Sequence, residues 1–407
     1  MTRRPLGDDC LKYVQLRSKA EALETLIQIG VDPYGVEAMS SKMSSMNILI
    51  EEVECKIANI IKQEMLSLGG DAAVSRNSVS CSVKATDVLI IGTVKQILRF
   101  ADKLSNQPFG LMNLSSAIKR LIEHISRDIF TLRTNRRKLI IGERTLIMGI
   151  LNVTPDSFSD GGRYQSYEDA IEHGLKMVED GADIVDVGGE SSRPGAGQVS
   201  ADEEMKRVIP VIRELSKRVK VPISVDTTKA SVAREAIVCG AEIINDISAM
   251  TFDDQMLPLI AKERAASIFM HMRGKPTDMQ TGDLSYRSLR GDIIHFLKER
   301  IREAQDFGID TDSMMIDPGF GFGKTGQDNL KLLKYLVEFK TLGKPIVAGV
   351  SRKAFIGHIT GGNPEERKDG TAAAVTAAIT NGANVIRVHD VKEMKNVAAV
   401  IDAVLRA

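Results

Sequence analysis

The chain has 407 residues, 43% of them hydrophobic and 27% charged, with 54 basic side chains balancing 54 acidic ones. It is longer than the roughly 250 residues that one compact core usually serves, so a second folding unit is expected. The composition excludes a disordered or fibrous chain, and the balanced charge provides no global field for nucleic acid or an anionic membrane surface.

Cys10, Cys55, Cys81 and Cys239 lack C-x-x-C spacing, which argues against a zinc site or a disulfide framework and for reduced thiols. No apolar run approaches the roughly 20 residues of a membrane helix. The basic start MTRRPLGDD is not followed by the apolar core of a signal peptide, so the cytoplasm is the expected compartment.

The first 136 residues read as a small α+β unit. Helical periodicity is expected over 17–29 and more strongly over 46–68, where Ile48, Ile50, Val53, Ile57, Ile60, Ile61 and Met65 fall on one stripe. Gly69 and Gly70 mark a turn, a strand pair is expected around 79–83 and 88–92, and a helix over 94–104. GGDAAVSR reads as a plain turn rather than an anion loop. No chemistry is evident in this unit, which is a candidate for dimerisation or regulation; a homodimer is expected.

From residue 137 the pattern alternates. Strands are expected at 144–151, 183–187, 221–225, 242–246, 267–271, 313–317, 345–350 and 384–388, with helices over 167–180, 200–217, 229–239, 287–307, 327–339 and 370–381. Continuous apolar strands between amphipathic helices predict a parallel sheet buried on both faces. Gly181, Gly240, Gly308 and Gly382 stand where helices must stop. An open doubly wound sheet also alternates, yet it gathers function at a switch point near a few strands. Here Asn152, Asp186, Asp226, Asn245, His271, Asp317, Ser351 and Arg387 each stand at or just past a strand end. The fold class is therefore α/β, a (β/α)8 TIM barrel over 137–407 preceded by a small α+β domain over 1–136.

Taken singly, most of these residues have ordinary explanations. Asp226 in SVDTTKA is placed to cap a helix, Asp317 in IDPGFGFGK to start a Pro-Gly turn, and His271 between two methionines to be a satisfied wall residue. Arg193, in DVGGESSRPGA, offers a planar fork of donors for phosphate or carboxylate, as most solvated loop arginines also do. Convergence on one rim is what points to a site. Acids and amides without a Cys/His set suit Mg²⁺ or a hydrogen-bonding heterocycle. Lys353 in GVSRKAFIG, with Arg387 and His389 in IRVHDV, supplies anion donors late in the barrel, where phosphate commonly binds. Phe320 and Phe322 alternate with glycine and are expected to offer faces to a flat ligand.

GILNVTPDSFSDGG, DVGGESSRPGA, VPISVDTTKA, IINDIS, MHMRG, DPGFGFGKT, GVSRKAFIG and IRVHDV resemble, in order and spacing, the segments of the dihydropteroate synthase family. The resemblance covers 138–407 and says nothing firm about the N-terminal unit. It implies a transferase of folate biosynthesis that joins 6-hydroxymethyl-7,8-dihydropterin diphosphate to p-aminobenzoate, forming 7,8-dihydropteroate and diphosphate. Asp226, Asn245, Asp317 and Lys353 are then implied at the pterin edge, with Met270 lining the pocket and Arg387 over a ring face. Asn152, Arg193, Arg387 and His389 are implied at diphosphate, with Mg²⁺ held through Asn152. Asp226 and Asp186 would favour a pterin-methyl cation, while Ser351, Phe322, Phe158, Ser192 and Pro194 would receive p-aminobenzoate. Loops 156–162 and 191–197 are expected to close over bound diphosphate, so that the pterin binds first. Many family members carry Thr where this chain has Ser192, a difference that bears on how bulky arylamine mimics fit.

Two rival enzymes remain open: a pterin-dependent methyltransferase, which has no use for a diphosphate site, and a synthase acting on a phosphoribosylated arylamine. A non-catalytic scaffold would have no physical need to crowd acids and bases at one mouth.

Overall fold

The structure is a computed structural model describing residues 14, 16, 19–43, 45–78, 80–105, 107, 110–153, 163–191, 197 and 199–407, without the side chains of 163–166. It divides into two units, Met1–Glu123 and His124–Ala407.

In the first unit, helices Lys19–Ile29 and Pro33–Ser40 precede a three-stranded antiparallel sheet. Ala85–Thr93 runs between Ser45–Glu54 and Asp71–Val74. Helix Cys55–Ser67 contributes Ala58, Ile61 and Met65, and helix Val94–Leu104 contributes Ile97 and Phe100, to a core shared with Ile48, Val88 and Ile90 of the sheet. Val94–Leu104 forms as expected, started by a capping box between Thr93 and Gln96. The helix expected over 46–68 does not form as one element, since its first part is the strand Ser45–Glu54. Its isoleucines satisfy the period of two as well as that of 3.6, and pairing with Ala85–Thr93 decides between them. The pairing shifts register between Ile50 and Val53, where Glu52 adopts φ +55° and donates its N–H to Asp87 Oδ1 at 3.0 Å. The strand expected over 79–83 is also displaced: Asp71–Val74 pairs instead, residues 80–84 are turn and coil, and residue 79 lies outside the described set.

The second unit is the barrel. Its strands are β1 Leu146–Asn152, β2 Ile184–Gly188, β3 Ile223–Asp226, β4 Ile243–Asp246, β5 Ala266–Met270, β6 Met314–Asp317, β7 Val347–Ala348 and β8 Val385–Val388. Each pairs in parallel with its neighbours from β1 through β6, β8 lies between β1 and β7, and a parallel bridge from Ile316 to Ile346 closes the ring. The strands are almost wholly buried, which accounts for their unbroken apolar runs. Gly181, Gly240, Gly308 and Gly382 follow helices with φ of +100°, +122°, +84° and +95°, conformations that favour glycine. Helix Met256–Glu263, not anticipated from the sequence, completes the β4 crossover; it is short and has Pro258 in its first turn.

A hairpin, Phe130–Arg133 with Lys138–Ile141, plugs the N-terminal end of the barrel. Phe130, Leu132 and Ile141 are buried there against Met148, Ile184, Ile243, Ile268, Met315 and Val385. The boundary expected at 136/137 cuts through this hairpin, whereas the structural division falls at Glu123/His124. Among the described residues no helix is long and apolar enough to cross a membrane.

Candidate active site

The C-terminal ends of the strands form one mouth. Asp186, fully buried on β2, accepts from Arg387 Nε of β8 at 2.6 Å and from Asn245 Nδ2 of β4 at 3.0 Å, both on Oδ2. Arg387 Nη2 reaches Asp226 Oδ2 at the end of β3, 2.5 Å away. One guanidinium thus ties together two carboxylates from neighbouring strands, while the buried Oδ1 of Asp186 has no hydrogen-bond partner. Burial raises Asp226 to about 7; Arg387 opposes that shift, and Asp186, Glu204 and Asp246 add to it. Burial works against the charge on Arg387, but Asp186 and Asp226 outweigh it and hold the guanidinium above its ordinary value.

Asp317 ends β6 and is buried, with Oδ1 accepting the Gly319 N–H at 2.7 Å. Burial raises its pKa, opposed by that N–H and by Lys353. Lys353 lies with Nζ 4.3 Å from the centre of the Phe322 ring, a cation–π contact. Burial and the nearby Arg387 bring Lys353 down to about 8. Met270, at the end of β5, packs with Ile247, Met279 and Phe322 in a small apolar cluster beside these charges. Phe320, expected to face a ligand, is instead a core side chain.

His389, just past β8, shares its Nδ1 with Ser351 Oγ at 2.9 Å and donates its backbone N–H to the same oxygen at 3.3 Å. Ser351 is buried, and its hydroxyl is taken up by His389 rather than left facing the mouth. Burial, with Arg352 and Arg387 nearby, brings His389 down to about 3, so the ring is neutral. Asn152 ends β1 exposed at the rim. Among the described residues no group of three or more His, Cys, Asp or Glu side chains is placed to hold a metal. Ser192, Arg193, Pro194 and Phe158 lie outside the described residues, as do 154–162 of the first loop.

Two lysines escaped the sequence reasoning. Lys324 of the FGFGK segment is 2% exposed beside His271, whose expected role as a wall residue agrees with its burial. Lys229, just past β3, pairs with Glu190 and with Glu204, the latter at 2.5 Å. A lysine after a strand reads as solvated, and no spacing signals that two acids will surround it. A groove of about 800 Å³ opens beside this triad and shares only Asp226 with the charged cluster. The strand-end donors, and not the larger volume, therefore define the site.

Residues 148–389 match the family described as pterin binding enzyme. With polar strand ends gathered at the mouth of a parallel barrel, the chain belongs to that class. It is 45% identical over 285 residues to the dihydropteroate synthase of Bacillus subtilis (strain 168), covering 70% of this chain and 97% of that one. A dihydropteroate synthase from Xanthomonas albilineans, solved with 4-aminobenzoic acid, superposes with a TM-score of 0.64 at 44% identity, over 68% of this chain and 98% of that one. The chain is thus a member of the dihydropteroate synthase family, the transferases of folate biosynthesis that condense 6-hydroxymethyl-7,8-dihydropterin diphosphate with p-aminobenzoate. A probable bifunctional folylpolyglutamate synthase/dihydropteroate synthase of Halobacterium salinarum is 39% identical over 381 residues, 93% of this chain and 45% of that one. That span has to include most of Met1–Glu123.

Proposed function

We propose that the rim residues divide the reaction among them as follows. Asp226, Asn245, Asp317 and Lys353 hold the pterin edge: carboxylates accept from its aminopyrimidine N–H groups, and Lys353 donates to the ring carbonyl side. Met270 lines the pocket and Arg387 covers a ring face. Asn152, Arg193, Arg387 and His389 receive the diphosphate. Cleavage of the carbon–oxygen bond leaves positive charge on the pterin methylene, and Asp226 and Asp186 stabilise that charge as it develops. The arylamine nitrogen then forms the new carbon–nitrogen bond and gives up one proton to solvent. Phe322, Phe158, Ser192 and Pro194 hold its ring, and Ser351 meets its carboxylate.

The observation that carries this assignment is the Arg387 bridge between Asp186 and Asp226, which sets one guanidinium against two carboxylates beside the pocket. Burying one unpaired charge costs several kcal/mol, and such groups are retained where charge develops in a reaction. Mg²⁺ fits a sparse site of this kind, because it retains waters and needs only Asn152 and the substrate's own oxygens. When bound, it would neutralise charge on the departing diphosphate.

We further propose a homodimer, for which Val400 and Val404, one turn apart and exposed on the last helix, supply apolar surface. The cytoplasm suits the free thiols Cys55, Cys81 and Cys239. Diphosphate release measured with and without p-aminobenzoate tests the assignment. Asp317→Ala and Lys353→Ala should each cripple release, and wild-type kinetics in either would refute the pocket.

A further inference from the structure

Lys324 closes the glycine-rich segment after β6, and its side chain turns inward to 2% exposure. Its ammonium has three N–H donors and finds three acceptors: His271 Nδ1 at 2.9 Å, the Phe322 carbonyl at 2.9 Å and the His271 carbonyl at 3.3 Å. Burial brings Lys324 down to about 7; in its protonated form it has nothing to accept with, so His271 then presents Nδ1 as the acceptor and carries its proton on Nε2. Burial keeps that ring neutral, bringing it down to about 2. The imidazole is held edge-on to Phe296, with centroids 5.1 Å apart.

The backbone wraps closely over this ammonium. A Cβ on Gly319 would lie 1.9 Å from the His271 carbonyl oxygen, and one on Gly323 would lie 2.6 Å from Arg273 Cβ, so only glycine permits the approach. The same segment sets two groups of the site. Gly319 donates to Asp317 Oδ1 at 2.7 Å, and the His271 N–H donates to the Asp317 carbonyl at 3.0 Å. The Phe322 carbonyl is bound by Lys324, while the Phe322 ring lies beneath Lys353.

We propose that Lys324 is a positioning residue of the pterin pocket: its buried ammonium pegs residues 318–323 to the end of β5 and so fixes the Asp317 carboxylate and the Phe322 ring against the heterocycle. This role rests on the assignment of Asp317 to the pterin edge. Lys324 touches no substrate atom and acts only through Asp317 and Phe322. A side chain that merely filled space would change the melting temperature and leave ligand discrimination alone. A positioning group instead changes the affinity for the ring while sparing the anion bound on the β8 side of the mouth.

The full-length Lys324→Met variant keeps the length and loses the donors. In fluorescence titrations it should bind 6-hydroxymethylpterin about tenfold more weakly, while calorimetry should find inorganic diphosphate affinity within about twofold of wild type. Unchanged pterin affinity, or equal weakening of both probes, overturns the role. Asp317→Ala, titrated in parallel, separates the two claims. Wild-type pterin binding in Asp317→Ala removes the pocket assignment itself, whereas loss there with no loss in Lys324→Met removes only Lys324. If Lys324→Met does not fold, His271→Leu and His271→Gln decide the matter. Leucine removes one acceptor and should weaken pterin binding about threefold, while glutamine, which keeps an acceptor oxygen, should stay near wild type. A His271→Leu variant that binds pterin as wild type does would overturn the proposal.

Discussion

The two units handle buried polarity differently. Among the described residues the N-terminal unit buries only the hydroxyls of Ser40, Ser78 and Ser115, whereas the barrel unit buries Asp186, Glu204, Asp246, His271, Asp317 and Lys324 around its mouth. Both units have ample apolar cores, so the difference is not one of core quality. An ionised group leaves water at a cost of several kcal/mol unless it is paired. A fold carries such groups where a ligand repays them, and the contrast locates the chemistry in one unit. Buried charge alone is not enough, since Glu242 and Lys344 are also buried but are satisfied by Arg137 and by Thr311.

The sharpest way to break this contrast is at the rim. Asp317→Ala and Lys353→Ala should lower kcat/KM for the pterin diphosphate by about 10²-fold or more, since each removes a charged hydrogen-bond partner. Circular dichroism should find both folded, and retained turnover would erase the distinction between the units. Arg387→Met should lower stability as well: it leaves the buried Asp186 and the partly buried Asp226 without their cation, so stability should fall by about 3–5 kcal/mol in denaturant titrations. A variant as stable as wild type would show the bridge to be dispensable.

A matching cut in the other unit should separate fold from chemistry. Phe100→Ala leaves a cavity beside Ile61 and Ile97 and should destabilise that unit by about 3–5 kcal/mol. At temperatures where the unit stays folded, kcat should remain within about twofold of wild type. A large kinetic change there would mean that the N-terminal unit serves the reaction directly.

The pH profile sharpens the comparison more gently. Asp226, raised to about 7, must be ionised, and Lys353, lowered to about 8, must be protonated. kcat/KM should therefore fall as pH drops through about 7 and fall again as it rises through about 8. Stability follows its own sign. The folded state holds a proton on Asp226 that the unfolded chain has released above about 4, so this group's contribution falls as pH rises from about 4 to about 7. Lys353 gives up its proton earlier when folded, so its contribution rises between about 8 and about 10.5. An acid limb that persists unchanged in Asp226→Asn would assign it to another group.

Much of the barrel was legible because its signals are local. Each buried strand is a short apolar run, and Gly181, Gly240, Gly308 and Gly382 supply backbone freedom where a helix must stop. Val94–Leu104 was legible for the same reason, with a capping box and one strongly amphipathic stripe. Residues 46–68 were misread because Ile48, Ile50, Val53, Ile57, Ile60 and Ile61 fit both periods, and only the partner strand Ala85–Thr93 chooses. The boundary at 136/137 was misplaced because nothing in the hairpin 130–141 announces which core it fills.

The sequence by itself determined the alternation of strands and helices, the polar residue at each strand end, and the family to which those motifs point. Tertiary structure alone decided that one guanidinium serves two carboxylates, that Ser351 faces His389, and that Lys324 turns inward onto His271. Periodicity and capping act between residues a few positions apart, so they can be read along the chain. Burial and pairing of charge depend on residues far apart in sequence, such as Asp186 and Arg387, whose meeting exists only once the ring of strands has closed.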